Sequence, residues 1–141
     1  MYRKILVALD ATAADQSLLP HVGELARHFK SHLLLVHVAD GWAARNFNQL
    51  KLAESEEMKA DQKYLEEAAV KLRAQGLEVS HQLALGDPPA EILKTAEQEN
   101  CDLIAMTTHG HRLIGDLLFG STITAVRHRA TVPVLLVRAA D

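Results

Sequence analysis

The chain has 141 residues and a mass of 15.5 kDa, a size typical of one domain. With 48% hydrophobic and 23% charged residues and no apolar run near about 18 residues, its composition excludes whole-chain disorder and a membrane span. The 15 basic and 18 acidic residues give a net charge of −3, which argues against a nucleic-acid-binding surface. The single cysteine, Cys101, excludes a disulfide framework. The apolar run that follows Lys4 is too short for a signal peptide, so we expect a cytoplasmic protein.

Five short apolar runs predict β-strands. Four of them are almost entirely apolar, as in strands buried on both faces of a parallel sheet: residues 5–9, 33–38, 102–106 and 133–137. The remaining run, residues 77–85, alternates between apolar and polar positions. This alternation predicts an edge strand with one face in water.

The predicted strands are separated by segments with the 3.6-residue periodicity of amphipathic helices. Residues 13–30 carry one apolar stripe, with Thr12 and Asp15 as a predicted capping pair and Pro20 predicting a kink or a later start. Residues 54–75 begin with a cluster of acids and stop at Gly76. Asp87 is the predicted N-cap of a third helix, and residues 121–128 form the fourth. Residues 41–51 show the weakest pattern and predict a loop or a mobile entrance to the second helix.

Strands and helices therefore alternate throughout the chain. This order predicts one α/β domain over residues 1–141, an open five-stranded parallel sheet of the Rossmann-like kind with helices on both faces. Ligands of such sheets bind beyond the carboxyl ends of the strands, where the strand order reverses.

The loop after the fourth strand is the most informative of these strand ends. It runs from Thr107 through His109 and Gly110, and nine residues later reaches Gly120 and Ser121. Small residues let the backbone approach a ligand, and a helix N-terminus attracts anions, so this spacing suits a polyphosphate. By itself the spacing fits a plain turn and helix cap equally well.

Together these segments resemble the universal stress protein family over nearly the whole chain. The resemblance is carried by KILVALD at 4–10, LVHV at 35–38, GDP at 86–88, DLIAM at 102–106 and PVLLV at 133–137. The nucleotide-binding branch of that family has the pattern Gly-x2-Gly-x9-Gly-Ser/Thr, which Gly110, Gly120 and Ser121 match. Thr107 stands in place of the first glycine. A β-branched residue is penalised there if the position needs a positive φ, whereas Thr fits if only a small residue is required, and we favour the second interpretation.

The resemblance implies strand order 3-2-1-4-5 and an adenine nucleotide, ATP, ADP or AMP, at the switch point. The implied nucleotide contacts are Ala8, Leu9, Asp10, Val38, Met106, Thr107, Gly110, His111, Arg112, Gly120, Ser121, Thr122 and Ile123. Asp10 would touch the ribose or a phosphate-bound Mg²⁺, the alternative being a helix cap or turn former. His37, inside a buried strand, is interpreted as a hydrogen-bonded core histidine.

The resemblance also implies a homodimer through the fifth strand, with Val134, Leu135, Leu136 and Val137 at the interface. The alternative is a short edge covered by the three terminal residues. The expected function is an ATP-binding, nucleotide-dependent stress-response or signalling module with an unidentified protein partner. Two alternatives stay open: a slow ATPase or autophosphorylating enzyme, and a nucleotide-free dimeric interaction protein. The chain carries no Walker lysine, which favours the binding module over the enzyme.

Overall fold

The computed structural model describes residues 1–40, 47–108 and 117–140, in which five strands and four helices alternate. In chain order they are β1 (Lys4–Ala8), α1 (Asp15–Phe29), β2 (His32–Asp40), α2 (Phe47–Arg73), β3 (Glu78–Gly86), α3 (Pro88–Gln98), β4 (Leu103–Thr108), α4 (Leu117–Arg129) and β5 (Val134–Arg138). The predicted alternation is confirmed.

The five strands form one parallel sheet in the order β3-β2-β1-β4-β5, which confirms the predicted fold class and strand order. β1 lies at the centre, where Val7 pairs with Leu35 of β2 and with Ala105 of β4. The chain builds outward from β1 to β3 on one side, then crosses to β4 and β5 on the other. This reversal places the carboxyl ends of β1 and β4 side by side, where neighbouring connections diverge and leave a crevice.

The sheet is covered on both faces, so its central strands have no polar side. Ile5 and Val7 of β1 pack with α1 and α2, whereas Leu6 and Ala8 pack with α3 and α4. This two-sided burial explains the almost entirely apolar runs of the central strands. β3 lies at an edge of the sheet, as its alternation predicts. One of its apolar residues, Leu85 near the end of the strand, is 41% exposed.

Two predicted boundaries need correction. α2 begins at Phe47, before the predicted start at residue 54, so residues 47–51 are the entrance of this helix rather than a loop, and residues 41–46 lie outside the described residues. α4 begins at Leu117, four residues before the predicted start. The residues of α4 before Gly120 have no strong tendency to break a helix. A single interior glycine costs only about 1 kcal/mol, and that cost is too small to end a helix that is stabilised by tertiary packing.

The predicted capping pair at the start of α1 also differs from the structure. The Thr12 hydroxyl accepts from the Ala14 amide at 3.2 Å, but the Asp15 carboxylate reaches back beyond Thr12 to the loop. Pro20 lies inside α1, which begins two residues later than predicted. At α3 the prediction holds, because the Asp87 side chain accepts from the Ala90 amide at 3.3 Å.

Candidate functional site

A cavity of about 220 Å³ opens at the carboxyl ends of β1, β2 and β4, on the face covered by α3 and α4. Its lining residues are Ala8, Leu9, Asp10, Val36, His37, Val38, Pro88, Ile92, Met106 and Thr122. Six of these are residues that the family resemblance implies at a nucleotide: Ala8, Leu9, Asp10, Val38, Met106 and Thr122. The structure thus brings together residues up to 114 positions apart in the chain.

A larger cavity, of about 320 Å³, lies between α1 and α2. Its lining comes from helix surfaces, including Leu19, Pro20 and Lys71, and no strand end contributes. The smaller cavity is the stronger candidate because it lies at the topological switch point of the sheet, where α/β proteins bind their ligands.

Several predicted site residues do not line the cavity. Ser121 is exposed, and Ile123 is partly buried against the core on the α3–α4 side. Gly120 belongs to the first turn of α4, so the prediction that Gly120 and Ser121 start that helix is wrong. Three further predicted residues lie outside the described residues, namely Gly110, His111 and Arg112.

Thr107 is fully buried but points away from the cavity. Side chains alternate along β4, so Thr107 shares the α1–α2 face with Ala105, whereas Met106 faces the cavity. The Thr107 hydroxyl has no hydrogen-bond partner among the described residues. A ligand in the cavity would therefore pass the backbone of Thr107 rather than its side chain.

A buried carboxylate holds the loop that joins β1 to α1. Asp15 is fully buried, and its two oxygens accept the amides of Asp10 at 2.9 Å and Ala11 at 2.8 Å. The Tyr64 hydroxyl of α2 donates to the same carboxylate at 2.6 Å. Burial, with the Asp15 contact adding to it, raises the pKa of Tyr64 above its usual 10.0, so this hydroxyl remains a donor at neutral pH. The sequence does not predict this role of Asp15, and its only signal there is an acid shortly after the first strand.

Ala11 adopts a left-handed backbone conformation, with φ at 60°. For a residue with a Cβ this conformation costs about 1–2 kcal/mol. A hydrogen bond to a charged group contributes about 1.5–3 kcal/mol, so the Asp15 carboxylate can offset the strain. The strained residue directly follows Asp10, which lines the cavity.

His37 anchors the start of the same loop. Its Nδ1 donates to the Leu9 carbonyl at 2.9 Å, since a carbonyl oxygen only accepts, and Nε2 lies 3.6 Å from the Asp61 carboxylate of α2. The Leu9 amide also donates to the Val36 carbonyl at 2.7 Å. The hydrogen bond expected of His37 is confirmed, but the side chain is partly exposed rather than part of the core, and its backbone position places it at the cavity wall.

The cavity has both apolar and polar residues in its lining. Val38, Ile92 and Met106 supply apolar contacts suited to a planar ring, and Asp10 supplies a carboxylate. That carboxylate accepts from the Thr12 hydroxyl at 2.9 Å. Within the described ranges no group of three or more His, Cys, Asp or Glu side chains could hold a metal ion.

The fold defines a doubly wound α/β protein, and the position of this cavity makes the β1–β4 switch point its candidate ligand site. The sequence model of the universal stress protein family matches residues 1–138. The chain therefore belongs to the universal stress protein family.

Individual relatives agree with this assignment. A universal stress protein of Methanocaldococcus jannaschii is 30% identical, over 98% of this chain and 96% of its own length. Universal stress protein A homolog 1 of Coxiella burnetii is 31% identical over 96% of both chains.

Solved structures show the same architecture. The structure of the hypothetical protein MJ0577 aligns over 100% of this chain and 99% of its own, with a TM-score of 0.83 and 27% identity. The universal stress protein of Archaeoglobus fulgidus in complex with dAMP aligns over 96% of this chain and 98% of its own, with a TM-score of 0.74 and 23% identity. A universal stress protein in complex with cAMP aligns over 99% of this chain and 98% of its own, with a TM-score of 0.71 and 19% identity.

Proposed function

We propose that this chain is an ATP-binding, nucleotide-dependent stress-response module that acts in the cytoplasm. The observation that carries the proposal is the switch-point cavity, lined by six residues that the family resemblance implies at a nucleotide. Two proteins of the same fold have been solved with dAMP and cAMP, which supports an adenine nucleotide as the ligand class. None of the helices in the described part of the chain is long and apolar enough to cross a membrane.

The charges around the cavity give the nucleotide a direction. Successive amides such as those of Asp10 and Ala11 form an anion-binding concavity, but here the Asp15 carboxylate already fills it. With the Asp10 carboxylate beside it, this end disfavours phosphates and suits the adenosine. The phosphates would extend toward the N-terminal end of α4, where the helix dipole is positive and where Thr122 lines the cavity.

Mg²⁺ would enter with the phosphates. The ion favours oxygen ligands and is commonly held by phosphates together with one or two carboxylates. Asp10, at the cavity wall, is a carboxylate of the right type, but it stands at the adenosine end, so it would reach the ion only where the phosphates fold back over the ribose and would otherwise contact the ribose itself. A phosphate-bound ion therefore fits these residues better than a metal held by protein alone.

The decisive experiment begins with protein purified without added nucleotide. One portion of the protein is denatured, and the released material is separated by ion exchange and identified by mass spectrometry. If no nucleotide is released, a native portion is titrated with Mg-ATP, ADP and AMP by calorimetry. We expect either about one adenine nucleotide per chain or binding in the titration. An empty protein that takes up neither ATP, ADP nor AMP would refute the proposal.

A matched pair of variants locates the site. Val38→Trp places a large ring at the cavity wall, whereas Leu85→Trp places the same ring at the same end of the sheet but outside the lining. We expect Val38→Trp to weaken ATP binding at least tenfold and Leu85→Trp to change it less than twofold. Equal effects of the two substitutions would place the nucleotide elsewhere.

We also propose that two copies pair through the edge of β5. This strand is last in the sheet order, and its apolar residues are each partly buried: Val134, Leu135, Leu136 and Val137. The Pro133 carbonyl and the Ala139 amide face β4, so by alternation the amide of Leu136 points outward. In the described part of the chain no strand lies beyond β5, and a strand edge of that kind invites a second strand.

Light scattering during gel filtration tests the pairing. Leu136→Pro removes the outward amide without touching the β4–β5 ladder, so we expect a monomer. Leu136→Ala shortens the side chain but keeps the amide, and we expect it to remain dimeric at high concentration. A dissociation constant of about 100 μM corresponds to a weak protein association. A wild-type chain that is still monomeric at that concentration would contradict the proposal.

A further inference from the structure

Asp15 lies behind the nucleotide cavity and is not among its lining residues. We propose that Asp15, held by Tyr64, is a positioning residue of the site. It keeps Ala11 in the left-handed conformation and thereby sets where Asp10 stands at the cavity wall. This inference rests on the proposed nucleotide binding. It adds that Asp15 and Tyr64, which do not contact the nucleotide, influence the affinity for it.

The hydrogen bonds around Asp15 support a positioning role. The Leu9 backbone is fixed by two residues of β2, since its amide donates to Val36 and its carbonyl accepts from His37. Beyond Leu9 the chain leaves the sheet, and the next two amides, of Asp10 and Ala11, both end on the one carboxylate of Asp15. The carboxylate thus fixes the loop at the point where the left-handed turn occurs.

Helix α2 extends this control beyond the loop. Tyr64 donates to Asp15, and Asp61, three residues earlier on α2, lies beside His37. One helix therefore contacts both groups that fix the loop, at positions that share a helical face. A displacement of α2 would release the Tyr64 hydrogen bond and the Asp61 contact together, which links the cavity wall to the outer layer of the fold.

A purely structural role for Asp15 makes a different prediction. A buried carboxylate that only supports the fold would change the melting temperature without changing the affinity of the folded protein. A positioning residue changes the ATP affinity of the folded protein. That affinity should return when residue 11 can adopt its left-handed conformation without help from the Asp15 carboxylate. Glycine adopts positive φ without penalty, so Ala11→Gly supplies that recovery.

The test is a mutant cycle on the full chain with two measurements. ATP affinity is measured by calorimetry well below each variant's melting temperature, and exchange of the Ala11 amide is followed by NMR without ligand. We expect Asp15→Asn to weaken ATP binding about tenfold and to speed the exchange. The double variant with Ala11→Gly should regain at least half of that loss on a logarithmic scale, whereas Ala11→Gly alone should change affinity less than twofold.

The controls separate the outcomes. Glu67→Gln alters an exposed carboxylate on α2 and should change neither measurement. Should Asp15→Asn not fold, Tyr64→Phe replaces it in the same cycle, with an expected affinity loss of about threefold. Unchanged affinity and exchange in the folded variants would overturn the inference. If the wild-type chain binds no ATP, the proposed function fails, and faster amide exchange in Asp15→Asn would still support the hold on the loop, whereas unchanged exchange would refute it.

Discussion

Replacing Thr107 by valine should stabilise the protein. Thr107 is fully buried, and its hydroxyl has no partner among the described residues. A buried polar group without a hydrogen bond costs about 1–3 kcal/mol, and valine keeps the shape of threonine while removing the polar atom. We expect the free energy of unfolding to rise by about 1 kcal/mol, which raises Tm by roughly 2–4 °C in a domain of this size.

The assay pairs urea denaturation with ATP calorimetry and uses Thr122→Val as the matched control. Thr122 is also buried, but it lines the cavity, and the residue takes part in at least one polar interaction. Thr122→Val should therefore lower ATP affinity without raising stability, whereas Thr107→Val should raise stability and leave affinity unchanged. A Thr107→Val variant that loses stability or binds ATP less tightly would show that the hydroxyl has a partner, and would refute the assignment of Thr107 to the far face.

Three further predictions follow from single groups. Ala11→Gly should raise the free energy of unfolding by up to about 1 kcal/mol in urea denaturation, because it removes the left-handed strain, and a decrease would contradict that conformation. Burial raises the pKa of Cys101 to about 11, so its thiol should react with iodoacetamide at pH 8 far more slowly than in urea-unfolded protein. The raised pKa of Tyr64 means that the native state holds this proton more tightly than the unfolded state, so stability should fall above about pH 10. Tyr64→Phe should flatten that fall in denaturation curves measured at pH 9 to 11, and an unchanged slope would count against the buried hydroxyl.

The elements with strong local patterns were the ones that sequence predicted well. Asp87 was recognised as an N-cap because an acid before a proline satisfies the first free amides of a helix, a purely local arrangement. The start of α4 was misplaced because Gly120 looks like a boundary, whereas tertiary packing carries the helix across it. The structure likewise decided that Thr107 faces away from the cavity, since facing depends on the register of β4 against both layers.

The class of fold follows from the sequence alone, as does the edge of the sheet where a ligand is expected. Apolar strands alternating with amphipathic helices allow few topologies, and ligands of such sheets bind beyond the carboxyl ends of the strands. How Asp15, Tyr64 and His37 join to fix the first loop becomes visible only in the folded chain. Tyr64 lies 49 residues from Asp15, and His37 lies 28 residues from Leu9. Hydrogen bonds over such separations leave no periodic signal in the chain, because they depend on packing three layers together rather than on local backbone preference.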